Sequence, residues 1–294
     1  MSFSLPSFAK INWTLRVLGK RGDWFHELFT VFQTVSLSDT LHFAESENLE
    51  MTCDDGNVPI DERNLIVQAG NSLRNKFGIN KGAAIHLEKR IPSPGGLGGG
   101  SSNAAVALVG LAKLWELDVS FDELMPIAAI LGSDVPFFLF GGSAVGSGRG
   151  ELLEQLDDII EPCLLIVTPN VSVSTKDAFR RLGAATLTNA ELKHILSVCR
   201  TEAASLSLHR SALINDFEAS VFADFPEVRR VKETLLELGA VNAAMSGSGA
   251  SVFAIFDNIE TRQTAIKALD PESTWRKFAV ATVSRNKYRE ALGL

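Results

Sequence analysis

Apolar and polar positions change rhythm several times along the chain, and each change predicts an element. Residues 5–17 form a strand-like run of apolar and small side chains, with Lys10 and Asn12 inside it. Residues 29–35 and 41–43 read as two further short strands. Helical spacing appears over residues 64–77, where Leu65, Ala69, Leu73 and Phe77 recur every four positions. Residues 83–91 alternate instead. Ile85, Leu87 and Ile91 fall to one side, and His86, Glu88 and Arg90 to the other, the pattern of a half-buried strand. A glycine-rich segment follows at 92–102, then an apolar, alanine-rich helix over 103–117. Phe121–Leu131 reads as another helix, with Ser120 as its N-cap. Residues 132–136 break the pattern, 135–144 are apolar, and 146–150 are a turn-rich stretch. The acidic segment 151–161 reads as a surface connection and a domain boundary.

The second half has a different order. Residues 163–168 form a buried strand, and 175–182, 189–200 and 226–238 read as helices. Strands are expected at 243–246 and 251–256, around a Gly-Ser-Gly turn. A helix over 259–269 and a strand over 278–284 complete it. Strand, helices, strand, strand, helix, strand is the order of a split βαβ, ferredoxin-like domain. The expected class is α+β, in two domains: 1–160 and 161–294.

Composition narrows the function. The 294 residues suffice to bury a sizeable core. Lys and Arg number 28 against 35 Asp and Glu, a net charge of −7 with no basic run. That argues against nucleic acid as a partner. It leaves anionic ligands open, because backbone N–H groups hold phosphates without lysine. No apolar run approaches the ~18–20 residues of a membrane span. Pro6 and Lys10 interrupt the N-terminus before an apolar targeting segment could form. Cys53, Cys163 and Cys199 are isolated, so neither a zinc site nor a disulfide framework is indicated. Reduced thiols in a cytoplasmic protein are expected.

Residues 92–102, Pro92-Ser93-Pro94-Gly95-Gly96-Leu97-Gly98-Gly99-Gly100-Ser101-Ser102, are the most informative. They join a predicted strand to a predicted helix. Glycine lets backbone N–H groups approach an anion and adopt positive φ without a Cβ clash. The positive end of the following helix points at the same place. Ser101 and Ser102 add hydroxyl donors. No Gly-Lys-Ser/Thr closes the loop as in a Walker A motif, and the spacing of a dinucleotide fingerprint fails. A phosphate cradle is expected; a flexible turn before a capped helix is the plainer alternative.

This segment resembles the phosphate-binding motif of the GHMP kinase superfamily, Pro-x-x-x-Gly-Leu-Gly followed by small residues and Ser. Pro92, Gly96, Leu97, Gly98, Gly99, Gly100 and Ser101 match it. Two further superfamily motifs lie in order, Ser7-Phe8-Ala9-Lys10-Ile11-Asn12 and Met245-Ser246-Gly247-Ser248-Gly249-Ala250-Ser251. Finer features are similar to one branch, the kinases that phosphorylate the 2-hydroxyl of a cytidine diphosphate-linked sugar alcohol in the non-mevalonate isoprenoid precursor pathway. These are Arg21-Gly22-Asp23-Trp24-Phe25-His26-Glu27-Leu28, Gly132-Ser133-Asp134-Val135-Pro136, Gly148-Arg149-Gly150-Glu151 and Asn215-Asp216-Phe217-Glu218. The resemblance implies an N-terminal ribosomal-protein-like domain with a βαβ unit, a C-terminal ferredoxin-like domain, and a site between them. It also implies ATP and Mg²⁺, and a small-molecule substrate. The chain departs from the branch in having Phe25 where tyrosine is usual, and Ser93-Pro94 in the loop. Pro94 stiffens the loop and removes one N–H donor.

The resemblance assigns roles by position. Asp134 is either a turn or helix-cap aspartate or, as implied, the base that takes the hydroxyl proton. Lys10 would keep that carboxylate ionised and steady the developing alkoxide. Asn12, two residues on, shares its strand face and would bond the substrate. Residues 92–102 would hold ATP. His26 would read the cytosine edge, with Phe25 stacked on one face of the base and Phe179 on the other; a core role for Phe179 stands beside this. No residue is singled out as a metal ligand. Gly247-Ser248-Gly249 is either a hairpin turn or a second loop at the site. Trp115 and Trp275 read as core residues. Other kinases of the superfamily, acting on homoserine or mevalonate, and a non-catalytic nucleotide-binding protein on the same fold are the alternatives.

Overall fold

A computed structural model describes residues 2–23, 25–182, 189–209 and 211–294. The chain opens with two long strands, β1 (Ser2–Lys20) and β2 (His26–Ala44), paired antiparallel from end to end. The two short strands expected within 29–43 are one. The pairing with β1 resumes across a bulge at 36–37, where Ser36 N donates to Ala281 O instead. β3 (Leu49–Cys53) follows, which the sequence pattern did not reveal. α1 (Leu65–Phe77) starts at the N-cap Asn64 and ends at Gly78 in the left-handed conformation. It leads to β4 (Ala83–Glu88), parallel to β3, which makes the expected βαβ unit.

α2 (Gly99–Leu114) begins four residues earlier than expected, inside the glycine-rich segment. α3 (Phe121–Leu131) carries a capping box between Ser120 and Glu123. α4 (Val135–Phe140) occupies the apolar stretch after Asp134. Residues read as a turn are instead β5 (Ser143–Gly148), paired with β2. The acidic connection contains β6 (Leu152–Gln155), paired with β5. Small residues make β5 because Phe32 packs against it: a Cβ on Gly146 would lie 2.6 Å from the Phe32 ring.

β7 (Leu164–Thr168) starts a second sheet. The chain continues through α5 (Thr175–Arg181), α6 (Asn189–Ala204), the two-residue β8 (Ile214–Asn215), α7 (Glu218–Asp224) and α8 (Pro226–Glu237). Then come β9 (Asn242–Met245), β10 (Val252–Ile255), α9 (Ile259–Ala268), β11 (Arg276–Val280) and α10 (Arg285–Leu292). The second sheet has the antiparallel order β11-β7-β10-β9, the ferredoxin-like arrangement. The first has β3-β4-β2-β1-β8, with β5 and β6 continuing beside β2.

Three apolar layers follow from strand alternation. One side of the first sheet packs against α1–α4, with Phe43, Leu41 and Ile85 meeting Leu108 and Leu111. Its other side sends Ala9, Ile11 and Trp13 into the second sheet, where they meet Ile166, Phe253 and Ile255. Trp13 and Phe253 meet edge to face at 5.3 Å. Alternate residues of the second sheet, Leu165, Val167, Val252 and Ala254, turn to α8 and α9. Each fully buried aliphatic or aromatic side chain is worth about 1.5–3 kcal/mol, so the seam between the sheets binds both halves firmly. A division after residue 160 separates the sheets except for β8, which pairs with β1. The last helix also crosses back: Tyr288 is buried in the first core and its hydroxyl donates to the Phe138 carbonyl. Trp115 and Trp275 are buried, as expected.

Gly110, in the middle of α2, lies against Phe43, and a Cβ there would sit 2.3 Å from the ring. Gly110→Ala should therefore destabilise the protein by about 1–3 kcal/mol through overpacking, despite alanine's better helix propensity. Urea unfolding measures it; an equal or higher midpoint would show that α2 can retreat from the sheet.

Candidate active site

A cleft of about 880 Å³ runs between the two halves of the chain. β1, the glycine-rich loop, the residues before α4, the tip of the β1–β2 hairpin, α5 and the turn after β9 all line it.

The loop is held by its carbonyls. Lys10 N donates to Leu97 O, Ser246 Oγ to Gly96 O and Ser251 N to Gly95 O. Gly98 is left-handed and precedes α2, whose first internal bond runs from Ser102 N to Gly98 O at 2.8 Å. The N–H groups of Gly99, Gly100 and Ser101 precede that bond and lack intrahelical acceptors. At a helix N-terminus such donors make an anion site. Gly96 is required for a different reason. A Cβ there would lie 2.1 Å from Ser246 O, so the two loops approach through bare backbone. Pro92 through Ser101 line the cleft. Ser102 does not: it is fully buried and its hydroxyl accepts from Ser7 Oγ at 2.8 Å. Leu97 is an anchor whose side chain packs into the seam between the sheets.

Lys10 and Asn12 share the cleft-facing side of β1, as their spacing predicts. Lys10 Nζ lies 3.5 Å from Asp134 Oδ2 and 2.7 Å from Asn12 Oδ1. Burial lowers the Lys10 pKa below its ordinary value, and the Asp134 carboxylate opposes that shift. Asp134 makes no capping bond to α4 and its side chain is 32% exposed, so it faces the cleft. Asn12 faces the cleft, and most of its hydrogen-bonding capacity is taken by protein groups. Its Oδ1 accepts from Lys10 Nζ and from Gly247 N at 2.9 Å, and its Nδ2 donates to Thr30 Oγ1 at 2.7 Å. One amide hydrogen remains. Its main work is to orient Lys10 and dock the third motif.

At the far end, His26 lines the cleft with its Nε2 buried and unpartnered. Desolvation, then the nearby Lys20, lowers its pKa, which favours the neutral ring. Phe179 stacks on His26 at 5.1 Å, rather than facing Phe25 across a gap. Phe25 is half-exposed at the rim, with the Arg149 guanidinium 4.9 Å from its ring centroid. Trp24 lies outside the described residues. Gly247-Ser248-Gly249 is a site loop as well as a turn: Asn215 Nδ2 donates to Gly247 O, and Ser248 Oγ bonds Thr175 Oγ1.

Reading the sequence missed Arg149, Thr175, Lys176, Arg180 and Ser133, which all line the cleft. Arg149 was visible inside a matching motif without a role. Ser174, the N-cap of α5, marks a helix start but nothing marks which face meets the cleft. Among the described residues, no cluster of three His, Cys, Asp or Glu side chains could hold a metal. No helix among them is long and apolar enough to cross a membrane.

The arrangement pairs a buried ammonium with a carboxylate beside an anion-binding helix terminus, with an aromatic and imidazole pocket further along. Family models agree with it. Residues 64–142 match the GHMP kinases N terminal domain and 200–273 the GHMP kinases C terminal domain. The 4-diphosphocytidyl-2-C-methyl-D-erythritol kinase of Chlorobium phaeobacteroides is 42% identical over 90% of this chain and 92% of its own. That of Thermoanaerobacter pseudethanolicus is 38% identical over 90% and 91%. A crystal structure of 4-(cytidine 5'-diphospho)-2C-methyl-D-erythritol kinase superposes with a TM-score of 0.76, at 30% identity over 95% of this chain and 99% of that one. Homoserine kinase from Cytophaga hutchinsonii shares the fold, with a TM-score of 0.71 at 22% identity over 97% and 96%. The chain belongs to the GHMP kinase superfamily and, within it, to the 4-diphosphocytidyl-2-C-methyl-D-erythritol kinases.

Proposed function

We propose that this protein transfers the γ-phosphoryl group of ATP to the 2-hydroxyl of 4-diphosphocytidyl-2-C-methyl-D-erythritol. The observation that carries this reading is the Lys10–Asp134 pair, 3.5 Å apart, at the mouth of the glycine loop. Phosphoryl transfer asks a protein chiefly for positioning and charge stabilisation. The N–H groups at 99–101 hold the phosphates. Asp134 accepts the proton leaving the 2-hydroxyl, and Lys10 keeps that carboxylate ionised and offsets charge on the alkoxide. A non-catalytic nucleotide binder would have no use for this pair.

Magnesium fits the donors at this end of the cleft. They are oxygens, the Asp134 carboxylate and the Ser101 and Ser133 hydroxyls, and Mg²⁺ takes one or two protein oxygens while keeping waters and substrate phosphates. When bound it neutralises phosphate charge. Reduced cysteines and a need for ATP support a cytoplasmic setting; Cys53, Cys163 and Cys199 are all free.

The cytidine end uses His26. A buried, unpartnered ring nitrogen costs about 1–3 kcal/mol until something pairs with it, and a cytosine edge supplies the partner. Phe179 covers the ring here, so it moves aside to admit the base and then stacks on it. Phe25 is placed to cover the base from the rim, and Arg149 to meet negative charge beside it.

Three outcomes are expected. Asp134→Asn keeps the shape and removes the base, so kcat should fall by roughly 10²–10⁴, toward the low end if the transition state is loose. Full activity in the folded variant would move the base elsewhere. The same substitution removes the one partner that raises the Lys10 pKa, while burial still lowers it. Lys10 should then titrate at lower pH than in the wild type, by NMR of the lysine side chains; an equal or higher titration point would mean the two groups are uncoupled. His26→Ala should raise KM for the cytidylyl substrate by about 10-fold, a loss of about 1.4 kcal/mol. ATP affinity should barely move, and parallel changes in both would make His26 structural.

The loop needs its own variant. A Cβ on Gly98 would lie 2.7 Å from the Phe138 ring and 3.1 Å from Lys10 Cγ, so a change there tests packing. A Cβ on Gly100 meets no protein atom within 4 Å. Gly100→Val should fold normally and weaken ATP by about 10-fold or more, about 1.4 kcal/mol. Unchanged ATP binding by calorimetry would show that the phosphates lie elsewhere.

A further inference from the structure

β4 ends at Glu88, and the phosphate loop begins at Pro92. Residues 89–91 form the elbow between them. Their three consecutive N–H groups have left the β2 ladder, and an unpaired buried N–H is costly. All three are captured by carboxylates. Lys89 N donates to Asp54 Oδ1 at 2.8 Å, and Arg90 N and Ile91 N both donate to Asp39 Oδ1 at 2.7 Å.

Asp39 is fully buried on β2, far in sequence from the loop, and the chemistry described above does not use it. Its second oxygen accepts from Lys89 Nζ at 2.9 Å. That ammonium, itself buried, also donates to Ile91 O. It lies directly beneath the start of α2: a Cβ on Gly99 would sit 3.3 Å from it. From the second sheet, Arg276 donates to Arg90 O at 2.8 Å. The elbow is thus clamped on its donors and its acceptors, at the point where a small rotation would swing the whole loop.

We infer that Asp39, acting with Lys89, is a positioning residue for the nucleotide: it fixes the angle at which the glycine loop leaves the sheet, and so the aim of the N–H groups at 99–101. This rests on the reading of that loop as the phosphate cradle. Asp39 is fully buried and does not line the cleft. Its loss should therefore act on ATP and spare the alcohol. A buried ion pair that served stability alone would affect both alike.

The test measures KM for ATP and for the cytidylyl alcohol separately, with ATP binding by calorimetry, in Asp39→Asn, Lys89→Met and the double variant. KM for ATP should rise about 10-fold or more in Asp39→Asn while KM for the alcohol changes less than about twofold. The double variant removes the unpaired buried charge, so stability should recover while KM for ATP stays high. Parallel changes in the two KM values, no change, or full recovery of ATP binding in the double variant would each overturn the inference. So would an equal rise in KM for ATP in Gly110→Ala, a destabilised variant remote from the elbow. If Asp39→Asn does not fold, the double variant, which buries no unpaired charge, is read by the same criteria. Gly100→Val is run alongside. If it leaves ATP binding intact, the cradle reading fails and this inference with it. If it weakens ATP while the Asp39 and Lys89 variants do not, only this inference fails.

Discussion

The site depends on two loops, one from each half of the chain, that meet through bare backbone. Gly96 and Gly247 allow the contact, since a Cβ on Gly96 would collide with Ser246 O and one on Gly247 would lie 2.8 Å from Gly96 O. Hydrogen bonds from Ser246 and Ser251 to the carbonyls of Gly96 and Gly95 then lock the pair. The carbonyls are engaged by protein, which leaves the N–H groups at the head of α2 for an anion. A flexible glycine loop would have to be ordered by its ligand at a cost in entropy. This one is ordered in advance by its neighbours.

The seam between the sheets makes that contact possible. β1 is buried on both sides around Trp13, because Ala9, Ile11 and Trp13 fill the gap to the second sheet while Lys10 and Asn12 face the cleft. One strand therefore sets the distance between the halves and carries Lys10 and Asn12. Asn12 joins the two tasks, accepting from Lys10 on its own strand and from Gly247 on the opposite half. Moving the halves apart would release the lysine as well as the loop. In the proposed reaction, an ammonium held by a protein amide, with a carboxylate 3.5 Å away, would need little rearrangement when charge develops.

The two ends of the cleft are built differently. The glycine-loop end, where the proposal puts the phosphates, is interlocked backbone and buried polar contacts. The His26 end, where it puts the cytosine, is a hairpin tip and a seven-residue helix, with Phe25 half-exposed and Phe179 resting on His26. Arg21 reaches Glu27 at 2.6 Å, and Glu27 accepts from Gly148 N, so the hairpin is tied to the turn that bears Arg149. Rings that rest on one another can part for a base, whereas an interlocked backbone cannot. On the proposed function, tight geometry lies where phosphoryl transfer would need it, and adaptable side chains where a planar base would enter.

The sequence by itself determined what is local. Periodicity located α1, α3, β4 and most of the second sheet, because amphipathic spacing reports which face is buried. Five glycines between a strand and a helix pointed to the loop that lines the cleft, and Lys10 and Asn12 two residues apart announced a shared face. Three motifs in order announced the superfamily. Tertiary structure decided what depends on partners distant in the chain. The end of β5 looked like a turn because Gly146 answers to the Phe32 ring, and a strand of small residues has no apolar period to read. The last helix returns to the first core because Tyr288 finds Phe138 there. Ser102 is a buried partner of Ser7, 95 residues away, and Asn12 accepts from Gly247 N, 235 residues away. A side chain's hydrogen-bonding role is set by whichever polar group the fold brings within 3 Å of it, about the length of one such bond. No local pattern encodes that neighbour.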